Sequence, residues 1–454
     1  MGIRSLVKKV IPNSVFEFIE PFGHLAEAIL VNIRYGFPAR GMKVIGVTGT
    51  DGKTTTATLI QKMLQTSGKK VGLLTTISID YGDGPKPNPT RLTSLGAAAL
   101  ARNLKSLRRH DLDYLVLETT SHALAQYRVW GVPYTLAVFT NLTHEHLDYH
   151  KTFERYRDAK VRLFRLTDKN QNGLRTGVIN ADDPSAAYFA RAISVPILYG
   201  VKEGDLKASN IRLASNGSRF TATIDGDEYR IQCHLPGSFN VMNALAAVGA
   251  GRALGLTKDE IEKGIDALEN VEGRMNTIDE GQDFTIIVDY AHTPESFEKV
   301  FKEIKPVTKG RLISVFGSAG RRDETKRPKQ GKIAGQYSDI VIVTEEDDRD
   351  MDGEAILQEI AAGAEAAGKQ RDKDLFLVHD REAAIERAIT LAKTGDTIVL
   401  LGKGHEKSIL SNGPKAAELR HLPQDDSNPD RVVKREYDEI TVARRVLKVR
   451  LGKS

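Results

Sequence analysis

The most restrictive feature of the chain is "VIGVTGTDGKTTTATLI", residues 44–60. Lys43 to Val47 reads as a buried strand, and from Thr54 to Gln65 the apolar residues Leu59, Ile60, Met63 and Leu64 recur at helical spacing. A Gly-rich turn therefore joins a strand to a helix N-terminus, where backbone N–H groups and the helix dipole favour an anion. The usual phosphate loop has two glycines separated by four residues, then Lys and Ser/Thr. Here Val47 stands where the first glycine should be, so the strict pattern fails while its physics survives. Gly49, Thr50, Asp51, Gly52, Lys53, Thr54 and Thr55 are the candidate nucleotide-phosphate residues. Lys53 can reach the outer phosphates, and the Thr54 hydroxyl can ligate Mg²⁺. The alternative is an ordinary strand-to-helix turn with a surface lysine.

From Lys43 onward, strand-like runs alternate with helical ones: "VGLLTTISI", "YLVLETTS", "LAVFTNL" and "TGVINADD". That alternation predicts an α/β fold with a mainly parallel sheet covered by helices. Lys202 to Gln232 reads as short antiparallel strands, followed by an apolar helix in "GSFNVMNALAAVGAGRAL". A second α/β series starts near Gly273, with strands in "FTIIVDYAHTP", "RLISVFGSAG", "DIVIVTEED" and "TIVLLGKGH" and a helix over Arg381 to Lys393. Ligands of open α/β sheets sit at the C-terminal strand ends, where these polar loops collect. Gln424 to Arg435 reads as a solvated loop before the last helix. The expected division is a helical segment 1–42, an α/β part 43–272 that carries the glycine loop and a second α/β part 273–454. In the first of these, Arg4, Lys8 and Lys9 precede the apolar "FGHLAEAILVNIRYGF". It reads as a helix packing on the body, with a peripheral membrane contact of the amphipathic type as the alternative.

A chain of 454 residues is long enough for about two to four domains. Its formal charge of +5 is mild and argues against a dedicated nucleic-acid binder. The single cysteine, Cys233, excludes an intramolecular disulfide framework and fits a reducing cytoplasm. No apolar run approaches the roughly 20 residues of a membrane span, and no signal peptide is visible. A soluble, cytoplasmic monomer without stable membrane insertion is the expectation.

Two further places carry candidate chemistry. "LVLETTSH" sets Glu118 at the end of a buried strand, where an unpaired carboxylate is costly. "FTNLTHEHLDYH" ends another strand with His144, Glu145, His146, Asp148 and His150. Oxygen ligands with an occasional imidazole suit Mg²⁺ or Mn²⁺ better than zinc; a solvated polar loop is the alternative. In "FERYRDAKVRLF", Phe153, Tyr156, Lys160 and Phe164 share one helical face. Spacing alone favours Lys160 snorkelling outward. Buried, it would have a depressed pKa and could take up carbon dioxide as a carbamate, a negative group able to hold a cation.

"TGTDGKTT", the Glu118 strand, "TNLTHEHLDYH", "RYRDAK", "LPGSFNVMNALAA", "EGRM", "DYAHTP", "FGSAGRRDETKRP" and "GKGHE" occur in the order seen in Mur ligases. From Lys43 to the C-terminus the chain resembles that family, most of all its tripeptide synthetases, which add the third residue of the peptidoglycan stem peptide. The resemblance implies a central ATP-binding domain, 43–272, and a Rossmann-like domain, 273–454, that brings the amino acid, with ATP and Mg²⁺ as cofactors and UDP-muramoyl-dipeptide and a diamino acid as substrates. It makes Lys53 and Thr54 phosphate and metal residues, Glu118 and His146 metal ligands, and Lys160 a carbamate. Asn240 and His292 fall at adenine-side positions, Asp289 at a ribose contact and Arg274 at a phosphate contact. Thr120, Gln126 and Arg128, with Thr93 and Ser94, match positions that hold the muramoyl dipeptide. Arg322, Asp347, Arg349, Gly402 and Glu406 match the pocket for the incoming amino acid.

The chain also departs from the family. The segment 1–42 is shorter than the usual domain for the uridine diphosphate, so weaker dependence on uracil and ribose is expected. The family's Asp-Asn-Pro-Arg motif reads Glu346, Asp347, Asp348, Arg349, and the lost proline leaves that loop free to redirect the arginine. Diaminopimelate is the favoured third amino acid because Arg349 can grip its extra carboxylate. Lysine remains the alternative, since Asp347, Asp348 and Asp350 surround that arginine with negative charge. A ligase making a poly-amino acid of the cyanophycin or polyglutamate type, and a non-catalytic nucleotide-binding protein, are the other function classes.

Overall fold

A computed structural model describes residues 13–88, 95–143, 145–411 and 432–453. The chain forms two compact units. One spans most residues up to Leu268; the other begins at Glu269 and also takes in Arg212–Ser218 and His234–Ser238.

Eleven strands form the first sheet: β1 (Val44–Thr48), β2 (Val71–Leu74), β3 (Ser78–Asp80), β4 (Pro85–Pro87), β5 (Tyr114–Glu118), β6 (Tyr134–Phe139), β7 (Thr176–Asn180), β8 (Val195–Gly200), β9 (Leu206–Ala214), β10 (Gly217–Ile224) and β11 (Asp227–Cys233). Their order is β11-β10-β9-β8-β7-β6-β1-β5-β2-β3-β4. The central β6, β1, β5 and β2 are parallel. β1 is buried along its whole length, which is why its sequence is a continuous apolar run rather than an alternating one. Register sets Val47 opposite Glu118 and Thr48 opposite Phe139, so β1, β5 and β6 end together at one edge.

The run "VGLLTTISI" is two strands, not one. Thr75 N donates to Ser78 O at 2.9 Å, turning the chain so that β2 and β3 pair antiparallel. The turn leaves Thr76 at the edge where β5 ends. At the N-terminal side, helix Asn13–Tyr35 packs against helix Ala97–Leu107. Ala28 and Asn32 face inward, and Asn32 Nδ2 donates to Trp130 O at 3.0 Å.

The second unit holds a six-stranded sheet of β12 (Asn276–Ile278), β13 (Thr285–Asp289), β14 (Leu312–Phe316), β15 (Ile340–Val343), β16 (Leu375–Leu377) and β17 (Thr397–Leu401). The order is β12-β13-β17-β14-β15-β16, parallel except for β12. Alternate residues serve opposite faces. Ile286, Val288, Ile313, Val315, Ile342 and Leu400 pack with helices Arg381–Leu391 and Glu439–Arg450. Ile287, Leu312, Val341, Val343 and Val399 pack with Phe297, Phe301, Ile356 and Ile360 on the other side. Period-two alternation in strands covered on both faces gives a three-layer sandwich.

Arg381 and Glu439 form a fully buried ion pair at 2.6 Å. The same guanidinium donates to Glu345 O at 3.0 Å and Leu401 O at 2.8 Å, so both helices on that face are tied to the ends of β15 and β17. Residues 424–431 of the expected solvated loop lie outside the described residues. The remainder of that stretch is a strand instead: β19 (Val433–Glu436) pairs antiparallel with β18 (Ser408–Ser411). Arg435 therefore sits in a hydrogen-bonded ribbon, and its guanidinium meets Glu345 at 2.5 Å.

Candidate active site

After Thr48 the chain reverses through the glycine loop into helix Lys53–Thr66. Gly49 has φ 153° and Gly52 φ 78°, and a Cβ would stand 1.8 Å from Thr140 Oγ1 at the first and 2.3 Å from Asn243 Oδ1 at the second. Both conformation and space require glycine there. The end of β6 braces the loop. Thr50 N donates to Asn141 O at 2.8 Å, Asp51 N to Asn141 Oδ1 at 2.9 Å, and Thr140 Oγ1 to Asp51 O at 2.6 Å. Lys53 Nζ donates to Thr50 O at 2.6 Å, so its charge leans over the loop. Thr55, near the start of the helix, is buried.

Thr54 Oγ1 donates to Glu118 Oε2 at 2.9 Å, and the same oxygen accepts Thr76 N at 3.1 Å and Thr76 Oγ1 at 3.2 Å. Glu118 is 4% exposed. A buried carboxylate and a hydroxyl at the mouth of a phosphate loop are hard oxygen donors, a set that fits Mg²⁺. His146 stands apart from this pair. It is exposed, in a left-handed backbone conformation, 3.6 Å from Glu145, with its ring 4.8 Å from that of His122. Among the described residues no hydrogen bond joins it to Thr54 or Glu118.

Lys160 overturns the expectation from spacing. It is 2% exposed, its Nζ donates to Gly49 O, and the amine lies 4.6 Å from the centre of the Tyr156 ring. Helix Phe153–Lys169 buries this face against the loop, and Tyr156 OH shares a hydrogen bond with Thr50 Oγ1 at 3.0 Å. Burial holds the Lys160 amine well below the ordinary lysine range, and the nearby charge of Lys53 acts in the same direction.

Other candidates of the first unit are placed less centrally. Thr120 caps helix Ser121–Ala125 by accepting Ala123 N at 3.2 Å. Gln126 is buried; its Nε2 donates to Tyr149 OH at 3.0 Å, while among the described residues its Oε1 has no partner. Arg128 is half-buried just beyond that helix. Asn240 is buried on helix Ser238–Ala253 and accepts Asn243 Nδ2 at 2.9 Å. Thr93, Ser94 and His144 lie outside the described residues.

In the second unit Asp289 ends β13, accepting Met275 N at 2.9 Å and Ala291 N at 2.8 Å. Burial raises its carboxyl above the usual range, against the opposing charge of the half-buried Arg274. His292 Nδ1 pairs with Tyr290 O at 3.0 Å, and its carbonyl accepts Lys326 Nζ and Gln330 Nε2, each at 3.0 Å. Arg322 is exposed on the loop beyond β14.

Beyond β15 the acids are individually committed. Asp347 Oδ1 accepts Lys403 Nζ at 2.9 Å and Leu410 N at 2.8 Å. Lys403 is fully buried and also holds Glu406 Oε2 at 2.8 Å. Asp348 pairs with His379 Nε2 at 2.7 Å, and Asp350 with Arg321. Arg349 has φ 57° and its N donates to Leu410 O at 2.9 Å, so the loop is pinned without a proline. Glu346 is buried, its carboxyl raised by that burial, and Gly402 lies so close that a Cβ there would stand 2.8 Å from Glu346 Oε2.

Comparison with known proteins accounts for both halves. Residues 47–251 match the Mur ligase middle domain, and residues 273–404 the Mur ligase glutamate ligase domain. A UDP-N-acetylmuramyl-tripeptide synthetase of Roseiflexus sp. (strain RS-1) is 42% identical over 402 residues, 86% of this chain and 79% of the relative. The chain belongs to the Mur ligase family. A UDP-N-acetylmuramoyl-L-alanyl-D-glutamate–2,6-diaminopimelate ligase of Geobacillus kaustophilus (strain HTA426) is 40% identical over 386 residues, 84% of this chain and 78% of that one. A solved 2,6-diaminopimelate ligase of the same name superposes with a TM-score of 0.68 at 29% identity, covering 91% of this chain and 80% of its own.

Beside these candidates stand residues that carry no sequence signal of their own. Thr76 was hidden in an apolar-looking run, and Lys403 in a glycine-rich one. Asn141 and Asn243 carry no spacing signal; only the fold sets them against the loop. The Asp348–His379 pair yields a pH expectation. Its hydrogen bond to Asp348, more than the burial that opposes it, raises the His379 pKa. Because the folded value exceeds the unfolded one, the stabilisation is full below about pH 6.5 and fades as pH rises through the raised folded value. Urea unfolding of wild type and His379→Gln between about pH 6 and pH 9 should therefore show a stability gap that narrows with pH.

Proposed function

We propose that the chain is an ATP-dependent amide ligase that joins a diamino acid, meso-diaminopimelate in preference to L-lysine, to UDP-N-acetylmuramoyl-L-alanyl-D-glutamate. The activities for which its relatives are named support the reaction class. Residues 43–272 serve as the ATP-binding part and 273–454 as the amino-acid part, with 1–42 as an accessory helical segment. The working form is a cytoplasmic monomer, a setting that a lone buried cysteine suits.

A carboxylate is a poor electrophile. One of its oxygens attacks the γ-phosphorus of ATP, ADP leaves, and an acyl phosphate results. The amine nitrogen then attacks the acyl carbon, the C–O bond to phosphate breaks, and the nitrogen gives up a proton. Gly49 to Gly52 cradle the phosphates with backbone N–H groups, and Lys53 offsets charge on the transferring group. Thr54 and Glu118 would hold Mg²⁺, with His146 the more distant candidate ligand and the Lys160 carbamate a further negative group beside the loop. Bound Mg²⁺ supplies charge neutralisation. Asn240 in the first unit is a candidate contact for the remainder of the nucleotide, as are Arg274, Asp289 and His292 in the second. Thr120, Gln126 and Arg128 hold the muramoyl dipeptide, the orphaned amide oxygen of Gln126 offering an acceptor.

The choice of amino acid rests on one observation: Asp347, Asp348 and Asp350 beside Arg349 each already have a basic partner, Lys403, His379 and Arg321 respectively. The negative charge that would welcome a second ammonium is thereby reduced, Lys403 being shared between Asp347 and Glu406. The Arg349 guanidinium remains to grip a far carboxylate, with Arg322, Gly402 and Glu406 completing the pocket. A charged contact of this kind contributes about 1.5–3 kcal/mol, or around ten- to a hundredfold in preference. Competition between the two amino acids should favour diaminopimelate by that margin, and Arg349→Ala should erase the preference. A preference for lysine that the substitution leaves unchanged rules the assignment out.

A further inference from the structure

Helix Asn13–Tyr35 has an inner face and an outer face of opposite placement but similar character. Ala28 and Asn32 point into the body, and the Asn32 bond to Trp130 O fixes the helix there. About half a turn round from them, Phe22, Ala26, Leu30 and Ile33 fall on one line at helical spacing, all of them exposed. Leu30 is 66% and Ile33 58% exposed, and Phe37 continues the apolar surface just past the helix end. A helix whose outer face served only solvent would carry charge on that line.

The surroundings of this stripe are basic. Arg34 and Arg40 are exposed at the helix end and just beyond it. The neighbouring helix Ala97–Leu107 turns Arg102 and Lys105 outward and runs on into exposed Arg108 and Arg109. Against these six cations, Glu27 is exposed on the N-terminal helix and Asp111 and Asp113 just past Arg109. An apolar line flanked by arginine and lysine matches an anionic lipid interface: the side chains enter the boundary between headgroups and acyl chains, and the cations meet phosphates. Among the described residues no helix is long and apolar enough to cross a membrane, so the contact is peripheral.

We propose that helix Asn13–Tyr35 docks this chain reversibly onto an anionic lipid surface through Leu30, Ile33 and their apolar neighbours, with Arg102 and Lys105 as electrostatic partners. This stands independently of the reaction proposed above. The test is co-sedimentation of the full chain with vesicles of phosphatidylcholine alone or mixed with phosphatidylglycerol, at low and high salt. The bound fraction should rise about tenfold with the anionic lipid and fall with salt. Leu30→Glu/Ile33→Glu should lose most of that binding while its circular dichroism and thermal melt match wild type. Arg102→Glu/Lys105→Glu should lose the salt-sensitive part, and Leu30→Ser/Ile33→Ser serves if the acidic pair does not fold. Binding that is the same in wild type and every variant overturns the proposal. So does a stripe that acts only in self-association, seen as dimers in wild type, monomers in Leu30→Glu/Ile33→Glu, and no vesicle binding in either.

Discussion

Lys53→Ala should yield a folded protein whose turnover falls by about a hundred- to a thousandfold, the usual cost of removing one preorganised donor from a site of developing charge. The fold is spared because, among the described residues, the ammonium makes a single bond, to Thr50 O, at the mouth of a loop already braced by Thr140 and Asn141. Phosphate release measured with ATP, muramoyl dipeptide and diamino acid, alongside a thermal melt, checks both halves. Near-normal turnover in a folded variant would sink the phosphate-loop assignment. The substitution has a second effect. Burial is the larger cause of the lowered Lys160 pKa and Lys53 the smaller, so removal of Lys53 should raise that pKa only in part.

Lys160→Ala should lose about ten- to a hundredfold or more in activity, in the range of residues that support a metal site. The mechanism distinguishes this loss from that at Lys53. A neutral amine adds to carbon dioxide, forming an N–C bond and releasing one proton, and the product is an anion. Burial and Lys53 favour the neutral amine that this addition requires. Short carboxylic acids should therefore restore part of the activity of Lys160→Ala, and wild type incubated with ¹³C-bicarbonate should show a carbamate carbon signal that the variant lacks. Rescue by amines, with no such signal, would point instead to a cationic role. Because the two lysines influence each other, the double variant should not show the sum of the two effects.

Much of the architecture was legible in the sequence because strand and helix periods differ. The buried runs of β1, β13 and β17 were readable as strands, and the C-terminal strand ends as the places where polar residues gather. The glycine loop was readable although misspelled, since Gly49 and Gly52 are demanded by backbone conformation and by Thr140 and Asn243. The rest failed for identifiable reasons. Periodicity places a residue on a face but not that face against a partner, so Lys160 read as snorkelling when its helix in fact covers the loop. A turn of two threonines has no glycine or proline to announce it, so β2 and β3 read as one strand and Thr76 was missed. Loss of the proline before Arg349 suggested a free loop. The pinning comes from Lys403, Leu410 and His379, all remote in sequence, which no local pattern can supply.

Two of the buried amines have a use outside catalysis. Lys160 and Lys403 are 2% and 0% exposed, one in each compact unit. Amine-reactive labels read accessibility, so both should stay unmodified in the native protein while surface lysines react within the same pulse. Each then becomes modified only when its own unit opens. Mass spectrometry of two peptides, in a titration with denaturant, would give separate opening free energies for the two halves of one chain without any engineered probe.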